Sequence, residues 1–406
     1  MMDQVILMEW ISFAVRWLHV ITAIAWIGSS FYFIALDLGL NRRVPGPADG
    51  EEWQVHGGGF YHIQKYMVAP ADMPEHLTWF KWESYSTWLS GAALLAVVYW
   101  MGAELYLIDP EKADLAVWQA VLISAGSLAV GWVLYDQLCK SALGDRPTTL
   151  MLILFAILVA MSWGYTQVFT GRAALLHLGA FTATIMTANV FLIIIPNQTV
   201  VVADLKAGRT PDAKFGKIAK LRSTHNNYLT LPVIFLMLSN HYPLAFATEH
   251  NWIIASLVFL MGVTIRHFFN TMHAKGGMLW WTWGATTAIF LAIVWLSMPS
   301  AEVADDLAED EVPARLAHLV EDPHFEEVLY ITLSRCAMCH AAEPAWDGIA
   351  TAPKGVRLET DAEIAAHARD IYLQAGVSHA MPPANITYME PEERAMIVAW
   401  YRAVGP

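Results

Sequence analysis

TTLMLILFAILVAMSWGYTQVF, residues 148–169, is a run of 22 residues without one charged side chain. Wound as a helix at 1.5 Å per residue it reaches about 33 Å, enough to cross a hydrocarbon core roughly 30 Å thick. Seven further apolar runs read the same way, near 8–36, 84–104, 113–136, 172–195, 224–243, 251–270 and 277–298. The fold class expected is therefore all-α: a polytopic membrane helix bundle of about eight transmembrane helices over 1–299, followed by a small all-α domain over 315–406. Composition agrees, with 56% hydrophobic and 15% charged residues, against roughly 45–50% and 25% in soluble domains. The first run has no Lys or Arg before it, so it reads as a permanent span and not as a cleaved signal.

The net charge of −13 is uneven, with acidic residues crowding the last hundred positions. Residues 300–314 read as an acidic linker, and an acidic tail argues against nucleic acid as a partner. The three cysteines make no disulfide framework. Cys139 ends an apolar helix and reads as a buried thiol, while Cys336 and Cys339 stand in Arg335-Cys336-Ala337-Met338-Cys339-His340, the attachment signature of a c-type haem. In such a turn both sulfurs form thioethers and the histidine ligates iron. Met381, followed by Pro382-Pro383, is the expected sixth ligand, and His379 competes with it; a thioether ligand raises the potential and favours electron acceptance. Helices are expected from about Asp322 to Ser334, Asp361 to Gln374 and Pro391 to Ala403.

Haem c is attached on the periplasmic side of bacterial membranes, and an even number of spans puts the N-terminus there too. The basic residues agree: Arg42, Arg43, Lys65 and Lys81, then Lys206, Arg209, Lys214, Lys217, Lys220 and Arg222, then Arg266 and Lys275 all fall in alternate connections. The opposite loops hold little beyond Lys112 and Arg172. By the positive-inside rule the protein is a multi-pass inner-membrane protein with its N-terminus and tail periplasmic.

Ionisable groups inside a span are costly, and so mark candidate sites. Arg16 and His19 are three apart on one face of the first helix, continued by Ala23, Trp26 and Ser30. Either His19 ligates a b-type haem and Arg16 pairs with a propionate or an anionic substrate, or the pair is a structural hydrogen-bonding knot. His177, His225 and His267 are further candidates, each weighed against an ordinary interfacial histidine. His225 and His241 are 16 residues apart, about 24 Å along a helix, and cannot serve one centre. The segment His56-Gly57-Gly58-Gly59, His62, Lys65, Glu75, His76 reads as a re-entrant or surface loop beside a polar pocket, or as an amphipathic interfacial segment.

Collected together, HGGGFYHIQKY (56–66), MPEHLTWFKWESYSTWLSG (73–91), IPNQTVVVADLKAGRTPD (195–212), RSTHNNYLTLPVIFLMLSNHYP (222–243) and RHFFN (266–270) resemble the membrane-bound, cytochrome c-fused urate oxidases of bacteria, over nearly the whole chain. CAMCH and AMPP show no departure from that pattern. LHVITAIAWIGSSFY (18–32) is also similar to the opening helix of membrane proteins of the protoporphyrinogen-oxidase and copper-resistance types, which bears on the haem b reading of His19. The first resemblance implies oxidation of urate to 5-hydroxyisourate with water as oxygen source. Electrons would leave through haem c to a soluble cytochrome c or terminal oxidase, with Arg16, His19 and His225 as catalytic candidates. Urate is a planar anion that asks for a cation, amide groups and an aromatic face, which Arg16, Lys65, Asn226, Asn227 and the tryptophans can supply. Urate yields two electrons and haem c takes one, which favours a haem b in the bundle, with His19, His177 and His267 as its candidate ligands. The rival reading is a membrane-anchored cytochrome c that carries electrons without an organic substrate of its own.

Overall fold

The computed structural model describes residues 4–66, 74–110, 112–298, 312–347, 349 and 352–404. All but the last three residues of the acidic linker expected at 300–314 lie outside them. The chain divides into two compact units, Met1–Met298 and Pro299–Pro406, and among the described residues the regular elements are helices apart from one hairpin.

In the first unit each of the eight apolar runs falls on a helix. These are α1 (Gln4–Gly39), α2 (Trp82–Leu94, continued by one π turn, Leu95–Trp100), α3 (Val117–Lys140), α4 (Pro147–Thr166), α5 (Gly171–Lys206), α6 (Ala213–Ser239), α7 (Asn251–His273) and α8 (Trp281–Leu296). Five of them, α1, α3, α4, α5 and α7, are long and apolar enough to cross a membrane, and α8 is apolar but shorter. Helix α5 is the hub, packing on α3, α4 and α6. Its Leu175, Leu178, Phe181 and Ile185 are fully buried among Leu154 and Leu158 of α4 and Leu229 and Leu236 of α6. Glycines set the closest approaches: a methyl on Gly131 of α3 would lie 1.9 Å from the Phe181 ring, and one on Gly262 of α7 would lie 2.6 Å from Pro232 of α6.

Two helices exceed their apolar runs. Helix α5 continues 11 residues past position 195 despite Pro196, because a π turn over Asn189–Ile194 comes just before it; the altered hydrogen-bond register there accommodates a ring that would otherwise break the helix. Helix α6 starts at Ala213, eleven residues before its apolar run, because the Asp212 carboxylate accepts a hydrogen bond from the Lys214 amide and caps the end. A polar amphipathic turn then leads into the apolar part.

The first part of the segment after α1, expected as a re-entrant or surface loop or an amphipathic interfacial segment, has regular structure of its own. It is an antiparallel hairpin, β1 (Gly50–His56) and β2 (Gly59–Lys65), turning at Gly57 and Gly58 with φ of 57° and 80°. Positive φ at both turn residues is the geometry that two-residue hairpins need and that glycine allows. Trp53 stacks on its cross-strand partner His62 at 4.3 Å, Glu51 binds the same imidazole at 2.7 Å, and Lys65 pairs with Asp37 at the end of α1. Trp53, Val55, Phe60 and Tyr61 remain exposed.

The second unit is built from α9 (Phe325–Arg335), α10 (Ala337–His340), α11 (Asp361–Ala366, followed by further turns to Val377) and α12 (Pro391–Val404), close to the three helices expected. Trp400 of α12 is wholly buried against Phe325 and donates its indole N–H to the Leu319 carbonyl at 2.9 Å. The Tyr401 ring stacks on Tyr372 at 4.6 Å.

Candidate functional site

Two groups of residues carry chemistry, one in each unit. In the second unit, Cys336 ends α9, and its carbonyl accepts from the Cys339 and His340 amides at 3.1 and 3.0 Å. The two cysteines and the histidine thus share one helical turn. Burial, and then the neighbouring Cys339, push the Cys336 thiol up to about 12, and burial raises the Cys339 thiol as well. Neither is a thiolate near neutral pH. The His340 Nδ1 lies 2.8 Å from the Val356 carbonyl, which must accept its proton; the Nε2 lone pair is thereby left for a ligated centre, the arrangement by which outer partners orient ligating histidines.

The Met381 loop is held as firmly. Arg394, buried on α12, donates to the Ala375 carbonyl at 2.6 Å, the Met381 carbonyl at 2.8 Å and Asn385 Oδ1 at 2.9 Å. The Met381 amide donates to the Gln374 carbonyl at 2.9 Å. Arg335, beside Cys336, pairs with Glu393 at 2.9 Å and donates to the Thr387 carbonyl, so the cysteine turn and the methionine loop are tied to one helix. His379 sits exposed with φ of 54°, and among the described residues its backbone has no such anchors. Among the described residues no three His, Cys, Asp or Glu side chains gather as a metal cluster.

In the first unit, α3, α5 and α6 enclose a polar network whose directions can be read from its donors. Arg222, fully buried, donates to Asp136 Oδ1 at 2.6 Å and to Asn189 Oδ1 at 3.1 Å, and its guanidinium lies 4.9 Å from the Tyr135 ring. Arginine only donates, so the Asn189 oxygen faces it, and Asn189 Nδ2 must donate to the Tyr135 hydroxyl at 3.0 Å and to Asn226 Oδ1 at 2.9 Å. The Tyr135 proton then goes to His225 Nδ1 at 2.8 Å. Neutral His225 consequently carries its own proton on Nε2, an enclosed atom without a hydrogen-bond partner among the described residues. That Nε2–H is a donor free within the network. The π turn is what carries Asn189 into this network, and such bulges recur at functional sites.

Asn226 also lines a pocket of about 360 Å³ between α1, the segment before α2, the π turn of α5, and α6. Ser29, Ser30, Gln198, Ser223 and Thr230 give it polar walls, while Trp26, Trp79 and Phe80 give aromatic ones. On the next face of α6, Asn227 Oδ1 accepts from Asn270 at 2.8 Å and from Arg266 Nε at 3.4 Å. Arg266 lies 4.3 Å over the Phe31 ring and forms no ion pair among the described residues. The Asn227 amide nitrogen is buried and unpartnered.

The remaining sequence candidates are scattered. His19 Nδ1 lies 3.0 Å from the Thr87 carbonyl and 3.1 Å from Ser90 on α2, its ring set against Gly91. Arg16 is close enough to Tyr99 to act on it electrostatically. His177 is fully buried with both nitrogens engaged, Nδ1 with the Ala173 carbonyl and Nε2 with Ser124, each at 2.8 Å. It has no lone pair to give a haem iron, and holds α3 to α5 instead. His267 touches Trp281 at 6.3 Å between ring centres, apart from the polar network. Sequence reasoning passed over Tyr135, Asp136, Asn189 and Tyr99. Asn189, a lone amide within an apolar run, was the signal available.

A family model described as Urate oxidase N-terminal matches residues 5–297, the extent of the first unit. No curated protein and no solved structure matches the chain.

Proposed function

We propose, from the premise that the chain belongs to the urate oxidase N-terminal family, that it is an oxidoreductase converting urate and water to 5-hydroxyisourate, two protons and two electrons. On this reading the first unit spans the inner membrane eight times, and the second is a periplasmic cytochrome c domain that hands electrons to a soluble cytochrome c or terminal oxidase. The observation that carries the reading is the second unit's construction beside a urate oxidase unit: a CxxCH turn with His340 oriented by Val356 and Met381 fixed by Arg394.

The substrate seat in this proposal is the 360 Å³ pocket, a volume within the range of small-molecule sites. Trp79 and Phe80 offer faces for a planar purine, and Asn226, Gln198 and Ser223 offer groups for its edges. Arg266 and the Arg222–Asp136–Lys140 set, with two cations to one carboxylate, lend the region positive charge for the urate anion. The Asn189–Tyr135–His225 chain fixes which atoms donate there, so that recognition is pre-organised.

Cys336 and Cys339 would hold haem c, with His340 and Met381 as its ligands. When bound it supplies a one-electron acceptor of high potential. Urate gives up two electrons and haem c takes one at a time, so a second redox centre in the first unit is part of this proposal. His19, with Nδ1 engaged and Nε2 without a hydrogen bond among the described residues, is the histidine that fits a b-type haem.

The test is a visible spectrum of the oxidised full-length protein under anoxia, before and after urate. Reduction of c-type bands by urate is expected. An unchanged spectrum that dithionite still reduces would overturn the proposal in favour of a pure electron carrier.

A further inference from the structure

Tyr99, in the π turn that ends α2, is 3% exposed, and its hydroxyl has no hydrogen-bond partner among the described residues. Leaving such a group unmade costs more than a surface bond would gain. Two arginines face it from different helices. Arg172, at the start of α5, has its guanidinium beside the hydroxyl and 5.4 Å over the Tyr106 ring, and its Nε is likewise buried and unpartnered. Arg16 of α1 lies within electrostatic reach of the same hydroxyl. Among the described residues neither guanidinium forms an ion pair, whereas Arg222 at the other end of the bundle has Asp136. A buried hydroxyl without a well-formed hydrogen bond, beside half-buried guanidiniums with no ion pair among the described residues, is a set of donors suited to something negative.

We propose that Arg16, Tyr99 and Arg172 form a binding site for a carboxylate or similar oxyanion, distinct from the urate pocket. Chain direction puts it at the end of the bundle where α1 and α5 begin and α8 finishes, while the pocket lies toward the opposite end. Two donors of Arg172 and the Tyr99 hydroxyl can converge on one carboxylate, with Arg16 supplying a second charge. Such charge-assisted bonds are about twice as strong as neutral ones. The carboxylate has two sources of the same chemistry. One is the side group of a non-covalently held haem whose iron takes His19 Nε2, since His19 lies three residues from Arg16 on α1. The other is a small anion from solution.

The experiment uses the full-length protein in detergent, as wild type, Arg172→Gln and Tyr99→Phe, with two readouts independent of urate turnover. Acid–acetone extraction measures non-covalent haem, and thermal unfolding is followed against sodium sulfate, with sodium chloride at matched ionic strength as the control for general salt effects. If a haem carboxylate fills the site, wild type yields extractable haem, Arg172→Gln loses most of it, and sulfate adds nothing specific. If the source is free anion, wild type shows a saturable sulfate-dependent rise that Arg172→Gln weakens roughly tenfold or more, with Tyr99→Phe between the two. Either result supports the site and identifies its occupant. No extractable haem together with equal sulfate responses in all three proteins would overturn it, and would leave the urate reading untouched.

Discussion

At the scale of single residues, the second unit depends on one carboxylate more than its position on an exposed helix suggests. Partial burial pushes Glu393 up, but Arg335 and the Glu390 amide outweigh it and hold the acid below the ordinary carboxylate range. A group depressed in the folded state contributes stability that is present above its unfolded pKa and lost as pH falls through the folded one. Calorimetric melting of the full-length protein should therefore show the second unit weakening as pH drops below about 4.5. Glu393→Gln should melt lower at neutral pH and lose less on acidification; parallel curves for the two proteins would remove Glu393 from the acid limb. The CxxCH turn was legible in the sequence as a local pattern, whereas the hold of Arg394 on the Met381 carbonyl, 13 places away, was not. The hydrogen bonds around His225 were not legible, since they run to Tyr135 and through it to Asn189, residues 90 and 36 places away.

At the scale of elements, apolar length sufficed to find each helix of the first unit, and it failed where polar capping or a local register change decided the ends. Asp212 starts α6 early, and the Asn189 turn lets α5 pass a proline; neither leaves a hydropathy signal. The hairpin was hidden because its three consecutive glycines read as loop, although Gly57-Gly58 between alternating aromatic residues is a turn signal. Helix contacts lead to a paired prediction on α3. Gly131→Ala drives a methyl into Phe181, whereas Gly126→Ala meets nothing within 4 Å. The first should cost about 1–3 kcal/mol as overpacking, and the second should be neutral or gain up to about 1 kcal/mol from helix propensity. Thermal unfolding of the two variants reads the difference directly, and equal midpoints would mean that α3 and α5 do not pack as described.

At the scale of the whole molecule, the family match ends where the first unit ends, so the two halves of the proposed reaction rest on different grounds. The urate half rests on family membership and the pocket, and the electron-accepting half on the geometry of CAMCH. Basic residues cluster in the connections at the pocket end, where the chain runs from α5 into α6. If that end is cytoplasmic, inverted membrane vesicles should oxidise added urate, and right-side-out vesicles should do so only once permeabilised. Equal rates in sealed vesicles of both kinds would reverse or abolish the assignment.

The 36-residue length of α5 has a consequence for how substrate meets the protein. At about 54 Å the helix overshoots a roughly 30 Å hydrocarbon layer by some 24 Å. Ile194, Ile195 and Gln198 of the pocket wall lie 23 to 27 residues from its start, about 35–40 Å along it and so in its far third. On the proposed reading, with α5 entering the lipid near its start, urate reaches that pocket through water at headgroup level. The solute it meets on the way is the diffuse ionic layer of an anionic leaflet, where a surface potential near −30 mV thins a monoanion about threefold. The lipid charge around the protein, and the salt that screens it, then become part of the enzyme's apparent affinity.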